Sequence, residues 1–566
     1  MSLKIYLSQI NTTVGDLDGN FNKIAMHYKK AQDKECDLVL FPEMTICGYP
    51  AQDLWQKQYF IEECQNQIVK LCNLTKNSDC AMIVGCPTID SKKENNIIFR
   101  NSAILIQDDK IIKIFNKKNL PNYEVFDEKR YFEASPNLTN HKLKNLNFNM
   151  MICADIWDTK NTFLASQYEI DFAIIINSSP YTINKEIKRF EKVSSFNSQC
   201  QKPIIYLNQI GGQDSIIFDG NSFVTGQYGE KIIELKSFEE DYAIIEIDET
   251  HEVKIIEPIK YKSSYQKFTR LKNEDNLSLD CDIIAQNNYQ ACILGLRDYI
   301  QKNGFSQVLL GMSGGIDSAL VATIAVDAIG SENVFLYALP TRFNSNDSIN
   351  DAKNCAANLK TSLTTIEIES LFQKMLETLP YSSPLTRENM QSRIRGNILM
   401  SLSNNSGALL LSTGNKSELA CGYATLYGDM CGAFNPIKDL YKSQIYQLAN
   451  WRNKNIPNIS IYQKNNLIPQ NIIHKEPTAE LRENQKDSDS LPDYKTLDQV
   501  LYQIIEQQQS LDKIVKQGFN KDLVDKIAKL FYKSEYKRKQ SPLGVKISKM
   551  SFDLERRYPI TNYFIK

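Results

Sequence analysis

Short apolar runs alternate with amphipathic stretches through the first half of the chain. The runs have the length and the β-branched content of buried strands, and they cover residues 5–10, 37–43, 81–87, 149–156, 171–179 and 204–209. Between them, residues 21–31 place apolar side chains on one helical face, with Asn20 as the expected N-cap. Residues 102–115 predict a hairpin that turns at Asp108, Asp109 and Lys110. The pattern predicts a layered α/β domain with a mixed sheet.

A second α/β pattern follows a polar stretch around residues 260–280, which has little apolar periodicity. A strand runs into a Gly-rich turn over 307–315, and the helix after it is predicted to end at Gly330. A strand, a helix and a strand then occupy 334–370, an order that requires crossover connections and a parallel, doubly wound sheet. Residues 476–494 are polar and predict a loop or lid. We therefore expect a domain over 1–260, a linker over 261–284 and a second domain over 285–566.

Composition narrows the classes of protein that fit this pattern. A chain of 566 residues exceeds what one hydrophobic core supports, and its formal net charge of -1 argues against nucleic acid as a partner. The start lacks the basic and apolar regions of a signal peptide, and no apolar run is long enough to cross a bilayer. We expect no membrane partner and a cytoplasmic protein. The thirteen cysteines include no CxxC pair and predict reduced thiols.

Histidine is scarce, and this restricts the chemistry that is available. The four histidines are widely separated in sequence, at positions 27, 141, 251 and 474. A Ser-His-Asp triad, a Cys-His pair or a His-rich metal site has almost nothing to draw on. Acid–base catalysis near neutral pH is therefore expected to use carboxylates, lysines or cysteine.

The strongest single motif is GMSGGIDS at 311–318, between a strand and a helix. Small residues let backbone N–H groups approach an anion closely at the positive end of a helix. The hydroxyls of Ser313 and Ser318 add donors, and Asp317 offers an oxygen to a Mg²⁺ ion on the phosphates. The Walker A ending is missing. A Gly-rich turn without a ligand is the alternative, which the order Ser, Ser, Asp disfavours.

A second polar group lies further along, in residues 409–429. A strand there ends at Thr413, and Glu418 lies on the turn that follows. Asp317 and Glu418, at the ends of separate strands, could share a Mg²⁺ ion, which prefers hard oxygen ligands. Lys442 is a candidate for contact with the phosphates, although a solvated helix lysine is the interpretation that the sequence alone favours.

Three residues of the first half lie at or just past strand ends: Glu43, Lys117 and Cys153. A cysteine amidase needs a thiolate, a base to take its proton and a positive group for the oxyanion. With so few histidines, a glutamate can be the base and a lysine the positive partner. Taken singly, each residue also fits an ordinary buried cysteine or a solvated charge.

These motifs resemble known families. The SGGxDS loop is similar to that of the N-type ATP pyrophosphatases. TGNKSELACGYATLYGD, KEPTAEL, LPDY and EYKRKQSPLGVKIS resemble the synthetase domain of NAD synthetases across 285–566. The resemblance implies Mg²⁺ with ATP, no tightly bound organic cofactor, and a homo-oligomer formed through this domain. One departure is 340–348, where the family has a Ser-rich stretch but Arg342 keeps the basic position.

The same resemblance assigns ligands to individual residues. For deamido-NAD it implies Asn389, Glu418 and Lys537. For ATP it implies Gly311, Met312, Ser313, Gly314, Gly315, Ile316, Asp317, Ser318, Thr413, Lys442 and Thr478.

FPE, KxxLP and C-x-D resemble the Glu-Lys-Cys triad of the nitrilase superfamily, whose domain is an α-β-β-α sandwich. The family's spacing selects Lys117 rather than Lys118. By this resemblance Glu128 supports the triad, and Tyr123, Ser179 and Lys185 contact glutamine. NQIGGQDSIIFDGNSF, at 208–223, matches the amidase half of glutamine-dependent NAD synthetases.

The implied reaction uses ammonia from glutamine to amidate ATP-activated deamido-NAD, giving NAD, AMP, pyrophosphate and glutamate. One alternative is another amidotransferase that uses the same loop, such as one forming GMP or asparagine. Those enzymes carry an N-terminal cysteine or a Cys-His-Glu triad, and neither is visible here. The other alternative is an ATP-binding protein without catalysis, which the joint presence of Glu43, Lys117, Cys153, Asp317 and Glu418 disfavours.

Overall fold

A computed structural model describes residues 2–93, 96–258, 282–379, 381–483, 485–489 and 491–564. These residues form two compact units, one N-terminal and one C-terminal. The predicted linker, 261–284, lies outside the described residues up to position 281. In the described parts of the chain, no helix is long and apolar enough to cross a membrane, and the cysteines are free thiols.

Strands dominate the N-terminal unit. Its helices are α1 (Leu17–Asp33), α2 (Gln58–Leu74), α3 (Thr159–Ser166) and α4 (Lys185–Cys200). Its strands are β1 (Ser2–Gln9), β2 (Leu38–Leu40), β3 (Ala81–Lys93), β4 (Asn96–Gln107), β5 (Lys110–Asn116), β6 (Thr139–Leu143), β7 (Leu146–Ile152), β8 (Phe172–Asn177), β9 (Ile204–Asn208), β10 (Ile210–Gln213), β11 (Ile216–Asp219), β12 (Phe223–Thr225), β13 (Lys231–Glu234), β14 (Asp241–Asp248) and β15 (Val253–Glu257).

Two mixed sheets face each other across an aliphatic core. One has the order β15-β14-β1-β2-β3-β4-β5 and the other β13-β12-β9-β8-β7-β6. The inward side chains of both sheets, such as Leu7, Leu40, Ile152 and Leu207, form one buried cluster. Helices α1 and α2 pack on the first sheet, and α4 packs on the second. This is the α-β-β-α sandwich that the sequence predicted. Strands β1–β3 and β7–β9 run parallel, so each set ends at one sheet edge.

Most local predictions for this unit were correct, but the strand predicted over 37–43 is limited to Leu38–Leu40, and Lys110, predicted to lie in the hairpin turn, begins β5. The hairpin of β4 and β5 turns at Asp108 and Asp109, both at positive φ as a type I′ turn requires. Asn20 is not the cap of α1, because the helix begins at Leu17 and the side chain of Asp16 accepts the N–H of Gly19. The strand predicted over 149–156 stops at Ile152, and a 3₁₀ turn follows over Cys153–Trp157.

Helices dominate the C-terminal unit. Its strands are β16 (Val308–Gly311), β17 (Val334–Ala338), β18 (Ser362–Thr365), β19 (Leu409–Leu410), β20 (Phe434–Asn435) and β21 (Leu543–Gly544). Its helices are α5 (Asp282–Lys302), α6 (Ile316–Ile329), α7 (Asn346–Leu359), α8 (Glu369–Thr378), α9 (Pro384–Ser406), α10 (Lys416–Cys421), α11 (Lys442–Lys454), α12 (Gln470–His474), α13 (Tyr494–Ile505), α14 (Leu511–Lys516), α15 (Lys521–Lys533) and α16 (Glu535–Arg538).

The central sheet of this unit is parallel, in the order β18-β17-β16-β19. The chain moves from β16 outward to β18 and then returns to the other side of β16, so the strand order reverses between β16 and β19. Ligands of doubly wound proteins bind at such a reversal, beyond the carboxyl ends of the strands. The predicted end of α6 at Gly330 is correct. The predicted loop over 476–494 is irregular in its described residues apart from a 3₁₀ turn at Asp487–Asp489 and its last residue, Tyr494, which begins α13.

Candidate active sites

The ammonium group of Lys117 lies between two buried carboxylates in the N-terminal unit. Its Nζ donates to Oε1 of Glu43 at 2.7 Å and to Oε1 of Glu128 at 2.8 Å. The side chains of Lys117 and Glu43 are both 0% exposed. Burial alone would lower the pKa of Lys117, but the carboxylates of Glu128 and Glu43 raise it above its usual value. The lysine is therefore a fixed positive charge.

Glu43 follows β2 and is held from three sides. Besides Lys117, its Oε1 accepts from the Asn101 amide at 2.7 Å, and its Oε2 accepts the Ser178 N–H at 2.8 Å. The backbone here touches β3 at Gly85, where a Cβ would lie 2.2 Å from the Met44 nitrogen. Only glycine fits at that position, because any side chain would push the Glu43 segment away from β3.

Cys153 follows β7 as the first residue of the 3₁₀ turn. It is buried and has φ of 45°, a left-handed conformation that is uncommon for a non-glycine residue and is concentrated at functional sites. Burial raises the pKa of its thiol, and Glu43 adds to the effect, while Lys117 opposes it. The thiol is therefore neutral at rest, and it needs a base to become a nucleophile.

The residues that sequence resemblance assigned to glutamine lie around this thiol. Ser179 follows β8 and is buried, and its carbonyl accepts from Arg189 at 2.8 Å. Lys185 opens α4, with Nζ 4.4 Å from the ring centre of Trp157. Burial lowers the pKa of Lys185 to about 8, with a contribution from Arg189. Tyr123 is half exposed, and burial followed by the nearby Cys153 raises its pKa. A thiol, a carboxylate base, a fixed cation and an adjacent lysine are sufficient for acyl transfer from an amide.

Sequence reasoning missed several residues that hold this site. Arg189 is fully buried and pairs with Asp219 at 2.8 Å while bonding the turn after β8. Tyr49 donates to Glu128 at 2.8 Å. No periodicity or motif separates these residues from ordinary core positions, because their partners are distant in sequence.

The C-terminal unit has a cavity of about 600 Å³ at the strand-order reversal. The residues proposed for ATP and deamido-NAD all line it: Gly311, Met312, Ser313, Gly314, Gly315, Ile316, Asp317, Ser318, Asn389, Thr413, Glu418, Lys442, Thr478 and Lys537. A pocket of this size suits a nucleotide.

The Gly-rich loop packs tightly against the start of α7. Gly314 has φ of 81°, and a Cβ there would lie 2.2 Å from the Ser348 carbonyl oxygen. The loop then enters α6 at Ile316, which places the positive end of a 14-residue helix at the cavity. Ser313 and Ser318 lie 3.2 Å apart through their hydroxyls. The arrangement fits a polyphosphate.

Lys442 is not the solvated lysine that the sequence favoured. Its side chain is 3% exposed, and Nζ donates to Oδ2 of Asp317 and, at 3.2 Å, to Oε1 of Glu418. Burial raises the pKa of Glu418 to about 8, although Lys442 opposes the shift. Because one ammonium reaches both carboxylates, a Mg²⁺ ion that also binds phosphate oxygens fits the same pair. In the described residues, no cluster of three or more His, Cys, Asp or Glu side chains could hold a metal ion by itself.

The other cavity residues belong to three segments. Lys537 donates to the carbonyls of Gly422 and Ala424, each at 2.8 Å, and Asn389 accepts from the Thr425 hydroxyl at 2.9 Å. Thr478 lies in the predicted loop or lid and donates to the Gln485 carbonyl at 2.6 Å. Lys537 and Asn389 are thus both held against residues 422–425, whereas Thr478 is held within the predicted loop.

Arg395, also on the cavity wall, was missed. Its Nε donates to the Leu339 carbonyl at 3.0 Å, and burial lowers its pKa to about 10. Arg342, the basic residue singled out from the sequence, is exposed and lies 3.6 Å from Glu369.

Two family models match the chain, one on each side of residues 259–281. Carbon-nitrogen hydrolase matches residues 4–254, and NAD synthase matches residues 288–541. Glutamine-dependent NAD(+) synthetases of Acinetobacter baylyi and Thermotoga maritima are each 38% identical to the chain. The match covers 99% of this chain in both cases, and 98% and 99% of the respective relatives.

Solved structures agree with these relatives. The glutamine-dependent NAD+ synthetase of Acinetobacter baumannii, in complex with ADP, aligns over 99% of both chains with a TM-score of 0.74 and 36% identity. A glutamine-dependent NAD(+) synthetase of Cytophaga hutchinsonii shares the fold over 99% of this chain and 98% of its own, with a TM-score of 0.80 and 18% identity. The chain belongs to the family of glutamine-dependent NAD(+) synthetases.

Proposed function

We propose that the chain makes NAD from deamido-NAD, using ATP for activation and glutamine as the source of ammonia. One observation carries the proposal. A single chain holds a buried Cys-Glu-Lys site in one unit and a phosphate-loop cavity in the other, and each suits one half of an amide transfer.

In the N-terminal unit, Glu43 takes the proton of the Cys153 thiol, and the thiolate attacks the side-chain amide carbon of glutamine. Lys117 and backbone N–H groups stabilise the oxyanion. The C–N bond then breaks, ammonia leaves with the proton, and water hydrolyses the thioester to release glutamate. Glu128 keeps Lys117 in place and charged, and Tyr123, Ser179 and Lys185 hold the substrate.

In the C-terminal unit, residues 311–318 with Thr413 and Thr478 hold the ATP phosphates. Lys442 supports the departing pyrophosphate, and Asn389, Glu418 and Lys537 hold deamido-NAD. The nicotinate carboxylate attacks the α-phosphorus of ATP, and pyrophosphate leaves. Ammonia then adds to the acyl carbon and AMP departs, which gives NAD. Mg²⁺, held by Asp317 and Glu418, would neutralise phosphate charge, and the proposed chemistry needs no tightly bound organic cofactor.

Isotopic labelling tests this function directly. The purified chain is incubated with ATP, Mg²⁺, deamido-NAD and glutamine labelled with ¹⁵N at the side-chain amide. We expect the label in the carboxamide of nicotinamide, with one AMP formed per NAD. If no AMP forms with deamido-NAD, but does form with xanthylate or aspartate, the acceptor is wrong.

The family likeness also supports a cytoplasmic homo-oligomer that assembles through the C-terminal unit. Light scattering on the purified chain measures the mass of the particle against the 64.9 kDa of one chain. A particle of one chain mass at working concentration would contradict this part of the proposal.

A further inference from the structure

The carboxylate of Asp155 binds three backbone N–H groups that belong to two separate segments. Its Oδ2 accepts the N–H of Ile152 at 2.9 Å. Its Oδ1 accepts the N–H groups of Lys118 at 3.0 Å and of Asn119 at 2.7 Å. One side chain therefore joins the residue before Cys153 to the two residues after Lys117.

The side chain of Asn119 adds a second link between the same segments, because its amide donates to the Ala154 carbonyl at 2.8 Å. The lysine segment is also bonded to β4, because the Lys117 N–H donates to the Asn101 carbonyl at 2.8 Å. The backbone at Lys117 is therefore bonded to β4 through its own N–H, and to the cysteine turn through the two residues that follow it. We call Asp155 and Asn119 together the turn clamp.

Asp155 is an unusual choice for a purely structural position. It is 1% exposed, and it forms no ion pair with any of the residues that the structure describes. Burial raises its pKa to about 6, and the N–H groups of Ile152 and Asn119 oppose the shift. The group is thus mainly ionised at neutral pH, where both oxygens are acceptors, and only a carboxylate satisfies donors from both segments.

We propose that Asp155 is a positioning residue of the amidase, which sets the distance between the Cys153 thiol and the Lys117 ammonium. The inference rests on the proposed function, because it takes Cys153 as the nucleophile. Cys153 is held at a φ of 45°, a conformation that surrounding contacts must maintain. Asp155 maintains it from the residue before, while it fixes the lysine loop. In this role Asp155 acts through the backbone of the two segments that it joins.

The test compares Asp155→Asn with Asp171→Asn. Asp171 makes a similar contact at the other end of β7, the strand that leads to Cys153. There its Oδ2 accepts the Asn147 N–H at 2.7 Å. Asparagine at 155 keeps the shape but replaces one acceptor by a donor. We expect kcat for glutamine hydrolysis to fall about 100-fold in Asp155→Asn, as displacements near 1 Å cause, with KM almost unchanged. In Asp171→Asn, glutamine hydrolysis should stay at the wild-type level. In both variants, ammonium-supported NAD synthesis should also stay at that level.

A second readout separates positioning from mere stability. The rate at which iodoacetamide alkylates Cys153, followed by mass spectrometry of its peptide, reports the reactivity of the thiol in folded protein. We expect this rate to change in Asp155→Asn but not in Asp171→Asn, with calorimetry confirming that both fold. A wild-type alkylation rate and kcat in folded Asp155→Asn would overturn the proposal, as would equal losses in both variants.

If Asp155→Asn does not fold, Asn119→Ala tests the same clamp more gently. We expect about a tenfold loss of kcat, the effect of one removed hydrogen bond of about 1.4 kcal/mol. Unchanged kcat in folded Asn119→Ala would then overturn the proposal. Cys153→Ala distinguishes this failure from failure of the proposed function. If that variant still hydrolyses glutamine, the amidase assignment itself is wrong.

Discussion

Both units bury a lysine between two carboxylates, but the two arrangements differ in access. Around Lys117, the side chains of Glu43 and Glu128 are at most 2% exposed. Around Lys442, those of Asp317 and Glu418 are each 18% exposed and face the cavity. The first arrangement is closed off from solvent. In the second, two carboxylates are accessible to a ligand that enters the cavity.

This difference separates two ways of using a buried charge. Under the proposed function, the closed arrangement supplies a permanent charge that does not rearrange when the oxyanion forms, which is the favourable case for electrostatic catalysis. In the open arrangement, Lys442 pairs with both carboxylates, and under the proposed function it would contact phosphate when a cation takes its place. Under the proposed function, the N-terminal arrangement is therefore in place before substrate binds, and the C-terminal arrangement is completed by its ligands.

The most severe test is Cys153→Ala. We expect glutamine-supported NAD synthesis to fall by about 10⁴-fold or more, because the nucleophile is lost. Synthesis from added ammonium salts should stay near wild type. The matched control is Cys200→Ala, which alters a partly exposed cysteine of the same unit. Equal loss with glutamine and with ammonium, in folded protein, would show that the units do not divide the reaction as proposed.

Asp317→Asn should give the reverse result. We expect NAD synthesis from either nitrogen source to fall about 10³-fold, since the residue pairs with Lys442 and is the proposed metal ligand. Glutamine hydrolysis should persist. Asp347→Asn, an exposed acidic residue in the first turn of α7, is the control. If Asp317→Asn abolished glutamine hydrolysis and left ammonium-dependent synthesis intact, the assignment of the cavity would be wrong.

Replacing each lysine by methionine measures the difference in access. Lys117→Met leaves two buried carboxylates uncompensated, and we expect a loss of about 3–5 kcal/mol in the free energy of unfolding. Lys442→Met should cost less than about 2 kcal/mol, because water reaches its carboxylates and because the pKa of Glu418, which burial raises and Lys442 lowers, rises further without the lysine, so that this carboxylate takes up a proton. Calorimetry of the full chain supplies both values. Equal losses would remove the distinction between closed and open sites.

The smallest expected effect concerns pH. Burial lowers the pKa of Lys185 to about 8, so the free lysine loses its charge as pH rises through that value. If it binds the glutamine carboxylate, KM for glutamine should rise up to about tenfold between pH 7 and 9, while kcat changes little. Lys185→Met should have the high KM already at pH 7, and its remaining pH dependence reports the substrate's own amino group. An unchanged KM in this variant would remove Lys185 from the binding site.

Much of the fold could be predicted because its signals are local. The hairpin at Asp108 and Asp109, the strand before the Gly-rich loop and the end of α6 at Gly330 each depend on a few neighbouring residues. The start of α1 was misplaced for the same reason. Asn20 and Asp16 are both good caps by type, and only the contacts of Asn20 with the carbonyls of Thr13 and Ile46 decide against it.

The site was predictable only as far as motifs reach. Resemblance identified Glu43, Lys117 and Cys153. It could not show that the carboxylates around Lys117 are buried, whereas those around Lys442 are partly exposed to the cavity. Asp155 lies in the C-x-D motif, but the motif does not show that its carboxylate bonds the lysine loop, and no spacing marks Arg189. The prediction that Lys442 is a solvated helix lysine was wrong. Solvent exposure depends on what packs over a helix, and the periodicity of the helix carries no information about that.

Gly85 carries a consequence for sequence variation. The backbone of β3 at Gly85 packs directly against the backbone beside Glu43, because a Cβ at this position would lie 2.2 Å from the Met44 nitrogen. A saturation library at this position should return glycine alone among clones that grow on glutamine-derived NAD. Clones supplied with ammonium should accept other residues, provided that they fold. The residues tolerated at this one position would thus report which nitrogen source a cell depends on.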